Sequence, residues 1–73
     1  MKINLNKCKK GDILISKHNV GFIYSHKDTA ELYPHVIFDA LTETKKYSRR
    51  TNGKVFKNMS LESDNDIVKI ISI

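Results

Sequence analysis

Apolar residues occur along this chain in short clusters of four to eight positions, and residues typical of turns separate the clusters. Few windows keep the 3.6-residue period of an amphipathic helix, whereas short apolar runs bounded by turn residues are typical of β-strands. The alternation is clearest in residues 35–42, where Val36, Phe38 and Ala40 share one face of an extended chain. The pattern therefore predicts a meander of short strands.

Turn chemistry sets the boundaries of the predicted strands. A tight turn at residues 9–12 and a second one at residues 18–21 each precede a strand, and in the second turn Asn19 and Gly21 tolerate the positive φ that such turns need. Pro34 biases the residue before it towards extended geometry and opens a further strand. The strands predicted on this basis cover residues 12–17, 22–25, 35–42 and 67–73.

The strongest local signal is the pair Asn52-Gly53, which lies between strand-like runs at residues 46–51 and 54–59. An Asn-Gly pair favours a two-residue type I′ turn, so we predict a β-hairpin at this position. Side chains alternate between the two faces of such a hairpin. Its basic residues therefore divide between the faces, and only a part of them can share one surface.

The composition agrees with a small β-fold. Nine isoleucines, four valines, three tyrosines and three phenylalanines stand against two alanines, and β-branched and aromatic residues favour strands. A chain of 73 residues has room for one domain, which we place at residues 1–73. We predict a mainly all-β fold, namely a small, five-stranded, partly open barrel with at most one short helical turn. The polar residues 26–33 form either a loop or one helical turn, and residues 28–32 are the best candidate for that turn.

Several segments resemble small SH3-like β-barrel proteins. They are the Lys-Lys-Gly-Asp turn at residues 9–12, the Gly-Phe-Ile-Tyr strand at 21–24 and the acidic turn before Asp-Ile-Val at 66–68. The segments 33–35 and 50–56 are similar to short proteins of unknown function from bacterial and phage genomes. The resemblance covers nearly the whole chain. It implies an SH3-like architecture that takes peptides or nucleic acids as ligands, and it carries over no functional residue.

Charge is distributed unevenly along the chain. The formal net charge is +5, and residues 44–60 contain six basic side chains and no acidic one. Cations at this density can neutralise phosphates, and an exposed aromatic ring can stack on a base. In the predicted hairpin Arg49 faces Phe56, which would allow a cation–π contact. The candidate nucleic-acid-binding residues are Lys45, Lys46, Arg49, Arg50, Lys54 and Lys57, with Tyr47 as the candidate aromatic contact.

Three interpretations of these features stay open. The first is a binding module that contacts nucleic acid through the basic hairpin. The second is a protein-binding adaptor or inhibitor of the phage or mobile-element type, in which Tyr24, Tyr33 and His35 could line a peptide groove. The third is a solvated hairpin whose lysines keep the protein soluble and discourage pairing of sheet edges.

Catalytic and metal-binding patterns are weak in this chain. A further hypothesis is an enzyme that uses the single cysteine, Cys8, as its nucleophile, but no signature of a cysteine enzyme surrounds it. Cys8, His18, His26 and His35 are spaced by ten, eight and nine residues, whereas structural zinc sites use closely paired ligands. We therefore predict a protein that is not an enzyme and that has no catalytic residue, no metal and no cofactor.

The sequence also carries expectations about location and partners. A single cysteine favours a reducing compartment, and the first ten residues do not resemble a signal peptide. No apolar run approaches the roughly 18 residues that span a bilayer. We expect a cytoplasmic protein whose partner is nucleic acid or another protein and not a membrane, and the sequence leaves its oligomeric state open.

Overall fold

The fold is one antiparallel sheet of five strands, seen in a computed structural model that describes residues 3–58 and 60–73. A single turn of 3₁₀ helix at Leu5–Lys7 precedes the sheet. The strands are β1 (Ile13–Ser16), β2 (Gly21–Lys27), β3 (His35–Asp39), β4 (Lys46–Arg49) and β5 (Ile67–Ile71). Their order in the sheet is β4-β3-β2-β1-β5, so the last strand returns to pair with the first, and the sheet does not close. The prediction of a mainly all-β fold with five strands and a single short helical turn is confirmed.

The helical turn lies at the beginning of the described chain and not at residues 28–32. The Asn4 side chain accepts a hydrogen bond from the Asn6 backbone amide at 3.0 Å, which caps the 3₁₀ turn and lets Leu5 enter the core. Residues 28–34 instead form a closed loop, because the Asp28 amide donates to the Pro34 carbonyl at 2.6 Å. Of the two alternatives for this stretch, the helical turn at 28–32 is therefore wrong, and a loop is formed there.

The predicted hairpin at residues 46–59 is only half formed. The turn runs from Arg50 to Gly53, whose amide donates to the Arg50 carbonyl at 2.8 Å, and only Gly53 has a positive φ, of 80°. A type I′ turn needs positive φ at both central residues, so this is a longer connection with glycine in the left-handed region. No strand follows within residues 54–58, and Met59 lies outside the described residues.

The reason is that the backbone after the turn bonds to the segment around β5 and not to β4. The Gly53 carbonyl accepts from the Ile67 amide at 2.9 Å, and the Val55 amide donates to the Asp66 carboxylate at 2.8 Å. Within the described residues, one further bond continues the hairpin, from the Arg50 amide to the Lys54 carbonyl at 3.4 Å, and the next groups of the ladder are used elsewhere. The turn instead bridges the two open edges of the sheet, β4 and β5.

The core lies on one face of the sheet. Alternate residues of β1 and β2 point inward, and Leu14, Phe22 and Tyr24 are buried together with Leu5 of the 3₁₀ turn. Ile37 of β3 and Ile67 of β5 complete this cluster. Burying six large side chains in so short a chain supplies the main favourable term for folding. No helix within the described residues is long and apolar enough to cross a membrane.

Candidate binding cleft and basic surface

The structure separates the six predicted basic residues into three groups. Lys45, Lys46 and Lys57 are exposed, Arg50 and Lys54 are partly buried, and Arg49 is buried. The residues that are open to solvent therefore belong to the beginning of β4, to the turn that follows it and to the segment 54–58. We refer to Lys45, Lys46, Arg50 and Lys57 as the basic surface.

Arg49 points into the protein because β4 alternates and places Tyr47 and Arg49 on the core side. Its guanidinium lies 5.6 Å from the centre of the Phe22 ring and 5.8 Å from that of Tyr47. Nη1 donates to the Ser48 carbonyl at 2.8 Å, while Nε and Nη2 donate to Asn65. Burial lowers the pKa of Arg49, and the nearby Asp66 carboxylate opposes that shift. The cation–π contact predicted with Phe56 is wrong, because Phe22 and Tyr47 take its place.

Lys54 is neutralised within the protein. Its Nζ lies 3.6 Å from the Asp66 carboxylate, and both side chains are largely shielded from solvent. Burial by itself would raise the pKa of Asp66, but hydrogen bonds from the Ser63 and Val55 amides and the charge of Lys54 together hold it below its usual value. The ion pair thus fixes the segment 54–58 against the start of β5.

Tyr47, the predicted aromatic contact, is half-buried. Its ring meets the Phe22 ring edge to face at a centroid distance of 5.4 Å, and the Lys45 ammonium lies 5.8 Å from its centre. Phe22 and Lys45 therefore contact the Tyr47 ring, and less of its surface is left to stack on a base.

The structure also forms a cleft of about 730 Å³ that the sequence pattern did not indicate. Three segments distant in sequence line it, namely the beginning of the described chain, the β2–β3 connection and the turn after β4. The lining residues are Ile3, Asn4, Asn6, Lys27, Thr29, Glu31, Leu32, Pro34, Arg50, Thr51 and Asn52. We call this the Arg50 cleft, because Arg50 is the one predicted basic residue that lines it.

Backbone contacts between residues far apart in sequence form the Arg50 cleft. No local sequence motif predicts it for this reason. The Leu5 amide donates to the Thr51 carbonyl at 2.8 Å, which brings the first segment against the turn. The Arg50 side chain donates to the Lys57 carbonyl at 2.6 Å. That bond uses one of the five guanidinium donors and leaves the others for solvent or a ligand.

A buried chain of polar side chains leads to the wall of the Arg50 cleft. The Tyr24 hydroxyl lies 2.8 Å from Nδ1 of His35, and Nε2 of His35 lies 3.1 Å from the Thr51 hydroxyl. His35 is fully buried. Burial lowers its pKa, and the positive charge of Lys27 lowers it further, so the ring is neutral at pH 7. Tyr24 and His35 are consequently not parts of an open peptide groove.

Cys8 lies partly buried against the core. Burial raises the pKa of its thiol, and the Asp12 carboxylate raises it further. Both effects oppose formation of the thiolate that a nucleophile or a metal ligand requires. Within residues 3–58 and 60–73, no three His, Cys, Asp or Glu side chains are grouped so that they could hold a metal ion.

The outer face of the sheet carries a row of apolar side chains. The strand register places Ile71, Ile13, Ile23 and Phe38 side by side across four strands, and Lys46 continues the row on β4. The first of these is 42% exposed and the other three are partly exposed. We call these four apolar residues the outer row.

Comparison of the chain with protein-family models, with curated proteins and with solved structures gives no significant match.

Proposed function

We propose that this protein is a small, non-catalytic, SH3-like binding module that binds nucleic acid through the basic surface. The observation that carries the proposal is which of the six basic side chains in residues 44–60 are buried or paired with an acidic group. Arg49 is buried and Lys54 pairs with Asp66, whereas no acidic side chain within the described residues neutralises the other four. The strand order, in which β5 returns to β1, supports the SH3-like part of the proposal.

The position of these cations suits a phosphate backbone. Lys45 and Lys46 are exposed at the beginning of β4, which is an edge strand, and Arg50 and Lys57 are joined by a hydrogen bond after that strand. Exposed cations release counterions from nucleic acid when they meet phosphates, and this release supplies most of non-specific affinity. Binding is therefore expected to depend on backbone charge more than on base sequence.

Salt dependence tests the proposal. Fluorescence anisotropy with a short labelled single strand, measured between about 50 and about 200 mM salt, should give a slope of log K against log [salt] near −2.8, about −0.7 for each of four phosphates. Replacing Lys45 and Lys46 together by Gln should reduce the magnitude of the slope by about 1.4. Absence of binding at the lowest salt, or an unchanged slope in the double variant, contradicts the proposal.

The matched control is Lys17→Gln. Lys17 is exposed, but it forms an ion pair of 2.9 Å with Glu62 in another region of the chain. Its replacement changes the net charge by one unit, as the loss of Lys46 alone does, and leaves the basic surface intact. The slope for this variant should equal that of the wild type, which separates a local effect from an effect of total charge.

The outer row favours a second candidate function, a protein-binding adaptor. Apolar side chains exposed as a continuous row are typical of protein interfaces. Lys46 lies at one end of the row, and Lys69 lies opposite Ile15 on the same face. The partner that fits is a protein whose contact surface is apolar at its centre and acidic at its rim.

A salt-tolerant complex would distinguish this function from the first. We expect the wild type to retain such a partner at roughly 0.5 M salt, where exposed charges are screened. Ile23→Thr should lose it, because the substitution removes apolar surface from the middle of the outer row and keeps a β-branched residue in the strand. The variant lacking Lys45 and Lys46 should still bind. Retention by Ile23→Thr would exclude the outer row as the interface.

A further inference from the structure

The hydrogen-bonded chain from Tyr24 through His35 to Thr51 has a direction. Each hydroxyl can donate one proton, and a neutral imidazole has one donor nitrogen and one acceptor nitrogen. The Tyr24 hydroxyl is buried, and Nδ1 of His35 is the one hydrogen-bond partner it has within the described residues. If Nδ1 carried the proton, the phenol proton would have no acceptor, and a buried donor without an acceptor is costly. Tyr24 therefore donates to Nδ1.

The rest of the chain follows from that first bond. With Nδ1 accepting, the imidazole proton is on Nε2, which donates to the Thr51 hydroxyl oxygen at 3.1 Å. The Thr51 hydroxyl then keeps its own proton for another acceptor. Because Thr51 lines the Arg50 cleft, the buried chain supplies a hydrogen-bond donor at the cleft wall. Hydrogen bonds that are aligned head to tail polarise one another, which strengthens the last donor.

Other donors line the same cleft. Lys27 and Arg50 carry positive charges, and Asn4 uses its side-chain oxygen to accept from the Asn6 amide, which leaves its NH₂ group as a donor. Ile3, Leu32 and Pro34 form an apolar part of the lining, and Leu32 is 62% exposed. A ligand that fits has oxygens that only accept hydrogen bonds, a negative charge, and a flat apolar body.

We infer that the Arg50 cleft binds a phosphate monoester attached to a planar apolar group, as in a nucleoside monophosphate. The phosphate oxygens accept from Thr51 and are neutralised by Lys27 and Arg50, and the base lies against Leu32 and Pro34. The inference goes beyond the proposed function, because a free mononucleotide would fill this cleft without any strand on the basic surface. A terminal phosphate of a strand has the same chemistry and is an alternative source.

Glu31 also lines the cleft and opposes an anion there. Its carboxylate belongs to the closed loop 28–34 and is exposed. Two cations against one anion leave the lining positive by one charge. Glu31 therefore lowers the affinity of the cleft for an anion but does not abolish binding. Replacing Glu31 by a neutral residue should make the anion bind more tightly.

The experiment is an amide NMR titration of the wild-type chain with three probes, a nucleoside monophosphate, the matching nucleoside and inorganic phosphate. The monophosphate should shift the amide signals of Lys27, Arg50 and Thr51 at millimolar concentration. It should bind at least about tenfold more tightly than the nucleoside, since charge-assisted hydrogen bonds to the phosphate are lost in the latter. Equal binding of nucleoside and monophosphate, or no shift of these signals, overturns the inference.

Variants of two exposed residues, Lys27 and Glu31, and of the half-buried Thr51 test the assignment. Lys27→Gln should weaken monophosphate binding roughly fivefold, and Glu31→Gln should strengthen it by a similar factor. Thr51→Val should weaken binding about tenfold while Thr51→Ser, which keeps the hydroxyl, binds like the wild type. Unchanged binding in Lys27→Gln and Glu31→Gln overturns the site even if Thr51→Val does not fold.

Two further experiments are needed. The first distinguishes a free mononucleotide from the terminal phosphate of a strand, and the second distinguishes binding in the cleft from binding on the basic surface. A strand with a 5′-phosphate that competes with the monophosphate, while the same strand without that phosphate does not, assigns the cleft to strand ends. Replacing Lys45 and Lys46 by Gln should leave monophosphate binding unchanged, whereas Lys27→Gln should leave the salt slope of an unphosphorylated strand unchanged. If monophosphate binding weakens with the loss of Lys45 and Lys46, the cleft is not a separate site and the inference fails.

Discussion

The guanidinium group of Arg49 donates two hydrogen bonds to the backbone carbonyl of Asn65, from Nε at 3.2 Å and from Nη2 at 3.1 Å. Arg49 ends β4, and Asn65 lies just before β5, so the contact joins the two edges of the open sheet. The backbone bond between Gly53 and Ile67 spans the same gap. Arg49, which the charge pattern of the sequence predicted to bind phosphate, thus stabilises the fold.

Replacement of Arg49 should destabilise the protein. Arg49→Met keeps the apolar contacts with Phe22 and Tyr47 but leaves the Asn65 and Ser48 carbonyls without their donor. We expect the free energy of unfolding to fall by about 2 to 3 kcal/mol. Urea denaturation measures this change. Lys46→Gln on the exposed face of the same strand is the control and should stay within about 0.5 kcal/mol of the wild type.

Gly53 should not tolerate a side chain. Its φ is 80°, and an added Cβ would lie 3.0 Å from side-chain atoms of both Ile3 and Ile67. Gly53→Ala therefore combines backbone strain with overpacking, for a loss of about 2 to 4 kcal/mol in thermal or urea denaturation.

Gly11→Ala provides the comparison for that loss. Gly11 has a φ of 97°, but no atom lies within 4 Å of an added Cβ. Its substitution should cost only the backbone strain, about 1 kcal/mol. Equal losses in the two variants would show that contact with Ile67 contributes nothing.

His35 should make stability depend on pH near neutrality. Its folded pKa lies below the ordinary value because of burial and of Lys27, so the unfolded chain binds more protons between the folded pKa and about 6.5. The free energy of unfolding should fall as the pH decreases from about 7 through this window and level off below the folded pKa. Urea denaturation at a series of pH values measures the slope.

The assignment to His35 is checked with two variants. His35→Gln should abolish the slope between neutral pH and the folded pKa, whatever it does to total stability. His26→Gln should preserve the slope, because His26 is exposed on β2. A slope that survives in His35→Gln and disappears in His26→Gln would refute the assignment.

Asp66 should control stability at lower pH. Its lowered folded pKa means that its contribution is present above the unfolded value of about 3.9 and is lost as the pH falls through the folded pKa. Asp66→Asn presents an amide NH₂ where the Val55 and Ser63 amides both need an acceptor. We expect a loss of about 1 to 3 kcal/mol at pH 7. Asp64→Asn, which changes an exposed side chain in the same turn, should have little effect on the urea midpoint.

Local sequence signals predicted much of the sheet. The turns at residues 9–12 and 18–21 lie where expected, and a strand follows each of them. Positive φ, expected at Asn19 and Gly21, occurs at Asn19 but not at Gly21, which begins β2. These signals succeed because they act through the conformational preferences of single residues and their neighbours. Strand 35–42 was predicted three residues too long, since Asp39 turns the chain by accepting bonds from the Leu41 and Thr42 amides.

The segment after Gly53 shows where local reasoning fails. The pair Asn52-Gly53 predicts a turn, and a turn forms. The type of the turn and the path of the chain after it depend on hydrogen bonds to Asp66 and Ile67, at the start of β5. The same holds for the basic residues, because the burial of Arg49 depends on Phe22 and Asn65, which are distant in sequence. A charge in the sequence does not reveal whether its partner is water, an aromatic ring or a carbonyl group.

By itself the sequence determined an all-β chain of short strands, the positions of its early turns and a segment of unbalanced positive charge, because periodicity, turn residues and charge are local properties. The tertiary structure alone decided which cations remain on the surface, closed the gap between β4 and β5 with Arg49 and Gly53, and assembled the Arg50 cleft at the end of the buried Tyr24–His35–Thr51 chain. Those features arise from hydrogen bonds and packing between residues far apart in sequence, and local preferences do not encode such contacts.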